Sequence, residues 1–454
     1  MSVPQRLNRM PGPWEPSLVQ SLQWLTRPDF YQRMADRYGP VFRMRFLYWG
    51  DIAVFTTSNA AQQILTLPRT VAHSGMEALR EGMGPHAVVL LNEDEHRRMR
   101  KLLMPPLMGS RLKQWEVLIE RRTMAEVSRW PVNEPFAIRP IAEEITLDVI
   151  AKIVFGMRDA ARAQELRALL PALYNWGPVT ALGFISPLGR LDLGGWSPWG
   201  RFRRKRDRID ELLYSEIALR RREFAAGDDR AEASDDRSDL LSVLLLARDE
   251  DGNGLTDAEV RDQLVAMLLA GHETSATAIA WAVERLTHNP SVLERLLGSL
   301  EEGDTAYLEA VIKETLRSRP VAHEVPRVLA RDAEIDGWAL PAGTGVGIAI
   351  PVLHHDPTLY REPDKFRPER FLDGNEPDPS AWLPFGGGVR RCPGANLAML
   401  EMRVVLTTIL RHVRLEPDRP EPETPTAYHV TTVPARGGRV VVTERLRRHS
   451  EVVS

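Results

Sequence analysis

Residues Phe385–Gly394 read FGGGVRRCPG and hold Cys392, the only cysteine among 454 residues. Gly386, Gly387 and Gly388 permit backbone angles that other residues avoid, and they let main chain approach something flat and large. Cys392 is followed by Pro393, Gly394 and then ANLAMLEMRVVLTTILRHV, an apolar-periodic run that reads as a helix. A cysteine just ahead of a helix start meets the positive end of the helix dipole, and Arg390 and Arg391 add charge of the same sign. Both favour thiolate over thiol, and a thiolate suits a soft or borderline metal. A lone cysteine is more often a small buried hydrophobe, yet that role needs neither the glycines nor the arginines. A zinc site needs several Cys or His at close spacing, and none lie near. A catalytic Cys–His pair stays open, although a nucleophile gains little from a flat glycine approach.

The stretch resembles the heme-binding loop of the cytochromes P-450, Phe-x-x-Gly-x-Arg-x-Cys-x-Gly. Phe385, Gly388, Arg390, Cys392 and Gly394 occupy every fixed position. Three further motifs follow the family's order. In NEDEHRRMRKLLMPPL, His96 and Arg100 stand four apart and so share one helix face. Alone they would be a solvated basic face; the resemblance makes them the pair that grips a heme propionate. Leu255 to Asn289 is the longest helical pattern, opened by Thr256 and Glu259 as a capping box. Within it Ala270, Gly271, His272, Glu273, Thr274 and Ser275 resemble the oxygen-activating segment of the family's central helix. There Gly271 is expected to admit a ligand, Thr274 to bond a carbonyl one turn back and open a groove, and Glu273 to feed protons through water. Finally, Glu314 and Arg317 stand three apart, and Arg370 of FRPERF resembles the third member of the family's buried charge cluster. That cluster is read as assembling the heme pocket, not as chemistry. Arg327, five residues before Asp332, matches the second propionate arginine of relatives.

Apolar residues make up 43% of the chain, enough for a sizeable core, and the net charge of −3 gives no argument for nucleic acid. One cysteine excludes an intramolecular disulfide framework and fits a reducing, cytoplasmic compartment. The first residues hold no apolar core for a signal peptide or membrane anchor, and stretches such as Leu264 to Ala270 are too short to span a bilayer. No G-x-G-x-x-G motif follows a strand, so no flavin or nicotinamide domain is expected to be fused.

The fold expected is mainly α with small β-sheets (α+β), a single cytochrome P-450 domain over 1–454 with heme between the central helix and the cysteine-loop helix. Residues 1–28, with Pro4, Pro11, Pro13 and Pro16, read as an extended lead-in. PVFRMRF and IAVFTTS about YWGD read as a hairpin, and 70–92 as a long, functional loop. Residues 177–200 resemble the family's mobile lid; Trp176, Phe184, Trp196 and Trp199 make it greasy for a loop that faces only water. YHVTTVPARGGRVVVTERL reads as one more hairpin, its tip around Val430 to Val433 resembling a substrate-contacting turn.

The resemblance implies a heme-thiolate monooxygenase carrying heme b. Cys392 would be the axial ligand, whose donation favours O–O cleavage. Thr274 and Glu273 would deliver protons, and His96, Arg100, Arg327 and Arg390 would hold propionates, beside Phe385, Gly394, Ala270 and Gly271. Val88, Val89, Leu90, Leu268, Val321, Ala322 and Val433 are the expected lining for a lipophilic small molecule, with His323 and Glu324 as polar candidates. A peroxide-driven oxygenase or isomerase is the second reading, and a heme sensor the third; the Glu273–Thr274 pair counts against the second. Electrons are expected from a ferredoxin or flavodoxin-type donor with its reductase. The docking face is expected at Arg97, Arg98, Lys101, Arg111, Lys113 and Arg391, opposed mainly by Glu93, Asp94 and Glu95.

Overall fold

A computed structural model describes the chain apart from residues 1–4, 48, 157–159, 174–179, 181–182, 185–186, 227–238, 429–430 and 447–454. It is mainly helical with small sheets. The chain divides into two compact units, 1–72 with 116–146 and 273–454, and 73–115 with 147–272. It passes from one to the other four times, which is why no linker-like composition marks a boundary.

In the first unit, strands Val41–Phe46 and Gly50–Phe55 form the expected hairpin, with Val41 opposite Phe55. Phe42, Met44 and Phe46 pack against Phe30, Tyr31 and Met34. Val41 and Phe55 pack on another cluster with Ile64, Val325 and Ile348. Period-two alternation thus buries the hairpin on both faces. Gly50–Phe55 pairs in parallel with Gly345–Ala349, which pairs antiparallel with Glu324–Leu329. The fifth, edge strand, Ala72–Ser74, begins where the unit's first segment ends. Asp336 and Gly337, with φ of 48° and 77°, form the tight turn of the next hairpin, where positive φ matches the strand twist.

Two expectations fail here. The lead-in is not extended: Gln5–Arg6 pairs with Trp338–Ala339, and Ser17–Thr26 is a helix with Pro16 at its N-cap. Proline stops a helix only from inside; just before the first turn it costs no hydrogen bond. The C-terminal run is not one hairpin. Thr431–Pro434 pairs with Pro425–Tyr428, whereas Arg439–Arg445 pairs with Val413–Pro417 and Pro135–Ala137. Gly437 and Gly438 take positive φ to carry the chain between sheets, and a Cβ on Gly438 would meet the Ala280 carbonyl at 2.9 Å.

In the second unit, Asp257–Gly271 opens with the predicted capping box, Thr256 and Glu259 bonding each other's backbone. The single long helix is interrupted at His272 and resumes as Glu273–Thr287. The His272 ring bonds the Leu268 carbonyl, one turn back, at 3.2 Å. Helical periodicity continues through the interruption, so the apolar pattern could not reveal it. The loop before His96 is bolted to this helix: Gln263 Oε1 accepts from the Val88 N–H at 2.9 Å, and Asp262 Oδ2 accepts from the His86 N–H at 2.8 Å.

Candidate active site

The cysteine loop is built from both ends. The Cys392 N–H donates to the Phe385 carbonyl at 2.9 Å, and helix Ala395–His412 starts behind Gly394. Gly386 and Gly388 each take φ +62°. A Cβ on Gly388 would lie 2.1 Å from the Leu65 carbonyl oxygen, and one on Gly387 2.8 Å from the Leu65 side chain. Two of the three glycines therefore admit the helix Ser58–Thr66, an intramolecular need that the expected approach to a flat partner did not include. Cys392 itself is exposed, so it is not the small buried hydrophobe of the alternative. Among the described residues no group of three His, Cys, Asp or Glu is placed to hold a metal ion.

Behind the loop the predicted charge cluster is assembled. Arg317 donates to Glu314 from Nε at 2.7 Å and from Nη2 at 2.9 Å, and Arg370 Nε reaches Glu314 Oε1 at 3.4 Å. Arg317 also donates to the carbonyls of His354 and Pro363, both at 2.7 Å. No sequence motif points to His354. Its Nε2 accepts the Leu383 N–H at 2.9 Å, two residues ahead of Phe385. That bond needs a neutral ring, and burial holds the imidazole down to about 3.

Arg327, on strand Glu324–Leu329, is buried and donates to the Pro326 carbonyl at 2.7 Å. Burial chiefly, then like-charged Arg390, lowers it to about 10. Among the described residues no carboxylate is paired with it. An uncompensated buried guanidinium costs stability, and a ligand carboxylate would relieve that cost.

Three pocket candidates lie side by side in this unit. Ala322 bridges to Thr431, the Thr432 N–H donates to the Val321 carbonyl at 2.9 Å, and Val433 is buried. The His323 ring reaches the Thr432 hydroxyl at 3.2 Å, and burial lowers its pKa, favouring the neutral form. Glu324 does not join them; its carboxylate takes the Tyr31 hydroxyl. Val430 lies outside the described residues, as does Trp176 of the expected lid. Glu273 is buried, with Oε1 3.0 Å from Thr431 Oγ1 and 3.9 Å from Arg139 Nη2. Burial raises its pKa against the pull of Thr431 and Arg139. Thr274 is exposed.

In the other unit, His96 and Arg100 share helix Glu93–Leu103, with His96 buried. Val88, Leu90 and Leu268 are buried, Val89 partly so, and Ala270 is exposed. Gly271 has a packing role as well: a Cβ there would meet Ile150 Cδ1 at 3.0 Å. The expected docking face also changes. Arg98 donates to Asp249 at 2.6 Å and Glu259 at 2.7 Å, Lys101 pairs with Glu250, and Arg97 with Asp94 at 3.2 Å. Acids from 249–259, distant in sequence, already occupy Arg98 and Lys101, so these two do not supply the free positive face.

The family model for cytochrome P-450 matches residues 10–440. The chain belongs to the cytochrome P-450 family. Among curated relatives, the Mycobacterium tuberculosis protein provisionally named cytochrome P-450 135B1 is 39% identical over 451 residues, 97% of this chain and 93% of that one. Another from that organism, provisionally named cytochrome P-450 137, is 39% identical over 415 residues, 90% and 84% of the two chains. A cyanobacterial CYP120A1 solved with retinoic acid bound superposes with a TM-score of 0.82 at 24% identity, covering 98% of this chain and all of that one. The cytochrome P-450DA heme domain gives 0.80 at 18%, covering 99% of each. This cytochrome P-450 is thus an oxygenase that uses heme iron, O2 and a redox partner. The residues here fit such a group: a thiol ahead of a helix, and a buried cation with no carboxylate partner among the described residues. Among the described residues no helix is long and apolar enough to cross a membrane.

One buried acid escaped the sequence reading. Glu401, nine residues after Cys392, has both carboxyl oxygens buried with no well-formed hydrogen bond among the described residues, and burial pushes it up to about 8, the nearby Ser275 side chain offsetting this only in part. The unfolded carboxyl titrates near ~4.3. The folded chain keeps this proton while the unfolded chain loses it, so stability falls as pH rises from about 4 to about 8, then levels. Glu401→Gln removes that dependence. The variant is expected to be more stable than the parent at pH 8, on the order of 3 kcal/mol, and little changed near pH 4. Thermal unfolding at both pH values checks this; parallel curves for parent and variant would refute it.

Proposed function

We propose that this cytochrome P-450 is a cytoplasmic monooxygenase that inserts one oxygen atom from O2 into a lipophilic small molecule, by hydroxylation or epoxidation. A separate ferredoxin or flavodoxin-type donor with its reductase supplies the electrons. The group held would be heme b, with Cys392 supplying the sulfur that would hold its iron and His96, Arg100, Arg327 and Arg390 as propionate partners. Bound there, it supplies dioxygen activation that no side chain can. Val321, Ala322 and Val433, apolar and adjacent, support a lipophilic substrate.

The observation that carries the reading is the contact between Glu273 and Thr431. Thr431 Oγ1 lies 3.0 Å from Glu273 Oε1 and 2.8 Å from the Tyr428 carbonyl. One hydroxyl proton cannot serve both. The carbonyl only accepts, so both contacts are satisfied when Glu273 is protonated and donates to Thr431. The raised pKa agrees. Glu273 then stores a proton beside Thr274, at the helix interruption and against the strand that carries Val433. Oxygen activation consumes protons; peroxide-driven chemistry does not need that store.

Glu273→Gln is expected to slow O2-dependent turnover roughly 100-fold, the usual worth of a positioned acid, while peroxide-driven turnover persists. Thr274→Ala should leave substrate binding nearly intact and lower the product formed per electron consumed. Equal losses in the two assays, with an unchanged product-to-electron ratio, would remove these roles.

A further inference from the structure

We propose that Gln263 is a positioning residue that determines specificity: its amide fixes Val88 and Leu90 against the central helix and so sets which lipophilic ligands the pocket accepts. This role rests on the oxygenase reading, in which Val88 and Leu90 line that pocket. Every residue concerned belongs to one unit. Arg261, Asp262 and Gln263 are consecutive in helix Asp257–Gly271 and are 5%, 3% and 0% exposed. Three buried polar side chains in a row are costly unless each is bonded. Their shared partners are main-chain groups of residues 83–88, met in chain order. Arg261 Nη1 donates to the Met83 carbonyl at 2.9 Å. Asp262 Oδ2 accepts from the His86 N–H at 2.8 Å. Gln263 Nε2 donates to the His86 carbonyl, and its Oε1 accepts from the Val88 N–H at 2.9 Å.

Between helices Arg80–Met83 and Glu93–Leu103 the chain forms no further helix or strand, so these side chains stand in for the neighbouring strand that the loop lacks. Gly84 completes the fit. Its φ is +96°, and a Cβ there would lie 2.1 Å from Asp262 Oδ1. The three side chains are not equivalent. Arg261 is also held by Asp210 at 2.7 Å and by Asp262 at 2.8 Å, and Asp262 meets the His86 ring at 3.0 Å. Among the described residues the Gln263 amide bonds only the loop.

Packing alone would not fix the loop's register. Met83, Ala87 and Leu90 cluster with Ala266, and Val88 is 7% exposed. Apolar burial is non-directional, so it tolerates a loop that slides along the helix. The amide does not tolerate it. One end needs a carbonyl and the other an N–H, and a slip of one residue breaks both bonds. Gln263 therefore decides which loop side chains face the helix. A wall held in one register can separate ligands that differ by a small apolar group; a sliding wall adapts to both.

Gln263→Met keeps the side chain's length and removes both polar ends. In the full chain loaded with heme, deuterium uptake over residues 83–91 is expected to speed up roughly tenfold or more, while helix Asp257–Gly271 exchanges as in the parent. Imidazole and 4-phenylimidazole both bind heme iron through nitrogen and shift its absorption, and only the second carries an apolar ring that needs a wall. The Kd for imidazole should stay the same, and the preference for 4-phenylimidazole over imidazole should fall about tenfold. Gly84→Ala displaces Asp262 from the loop side and leaves Gln263 in place. It should produce the same two changes, and it carries the test if Gln263→Met does not fold. Unchanged uptake overturns the proposal. So does faster uptake with an unchanged preference, which would make the amide a structural staple only. Failure of the Glu273→Gln prediction would count against the oxygenase reading and leave both of these readouts standing.

Discussion

Cys392→Ser is expected to abolish the strongly red-shifted Soret band of the ferrous carbonyl adduct. The band reports thiolate ligation, and a serine hydroxyl is a far weaker donor than a thiolate. No other residue can take over, because the chain has one cysteine. The substitution should spare the fold. The loop is closed by a backbone bond from the Cys392 N–H to the Phe385 carbonyl that serine keeps. Heme content should fall less than the spectrum changes, since Arg327 and its neighbours still offer the carboxylates a partner. A variant that retained the red-shifted band would show that the ligand is not Cys392. A variant that lost heme and fold together, by absorbance and circular dichroism, would make the residue structural.

What was legible in the sequence was local. The capping box at Thr256 and Glu259 and the hairpin about Val41–Phe55 each depend on residues within a few positions. Glu314, Arg317 and Arg370 were readable despite distance because the family keeps their spacing. What was missed depends on partners brought from afar. Nothing around Arg98 announces Asp249 and Glu259, so a paired cation looked like a free one. Gly271 and Gly388 have packing neighbours that their residue type did not announce, because a missing Cβ does not say what fills its place. His354 and Glu401 sit in ordinary helical patterns; only their burial separates them from surface residues. The interruption at His272 leaves the apolar period intact, and the proline-rich start concealed a helix because proline is harmless just outside one.

Glu314→Ala should have the largest effect on stability. Its carboxylate accepts two bonds from Arg317, one from Arg370 and one from the Arg367 N–H at 2.9 Å. Both Glu314 and Arg317 are fully buried. Removing the acid leaves Arg317 charged, dry and still fixed by the His354 and Pro363 carbonyls. Breaking a buried pair in this way costs roughly 3–5 kcal/mol, a large part of the ~5–15 kcal/mol that holds a folded chain. The loss should travel to the cysteine loop, because the His354 carbonyl bonds Arg317 while its ring receives the Leu383 N–H. Heme retention is therefore expected to fail before overall helix content does. Arg370→Ala should cost less. Its bond to Glu314 is longer, and its other bonds go to carbonyls of the chain segment that includes Glu362, at 2.7 Å. Denaturant unfolding of the two variants, with heme content followed by absorbance, checks the order. A Glu314→Ala protein within about 1 kcal/mol of the parent would mean that Arg317 finds another anion or water, and that the cluster does not hold the loop.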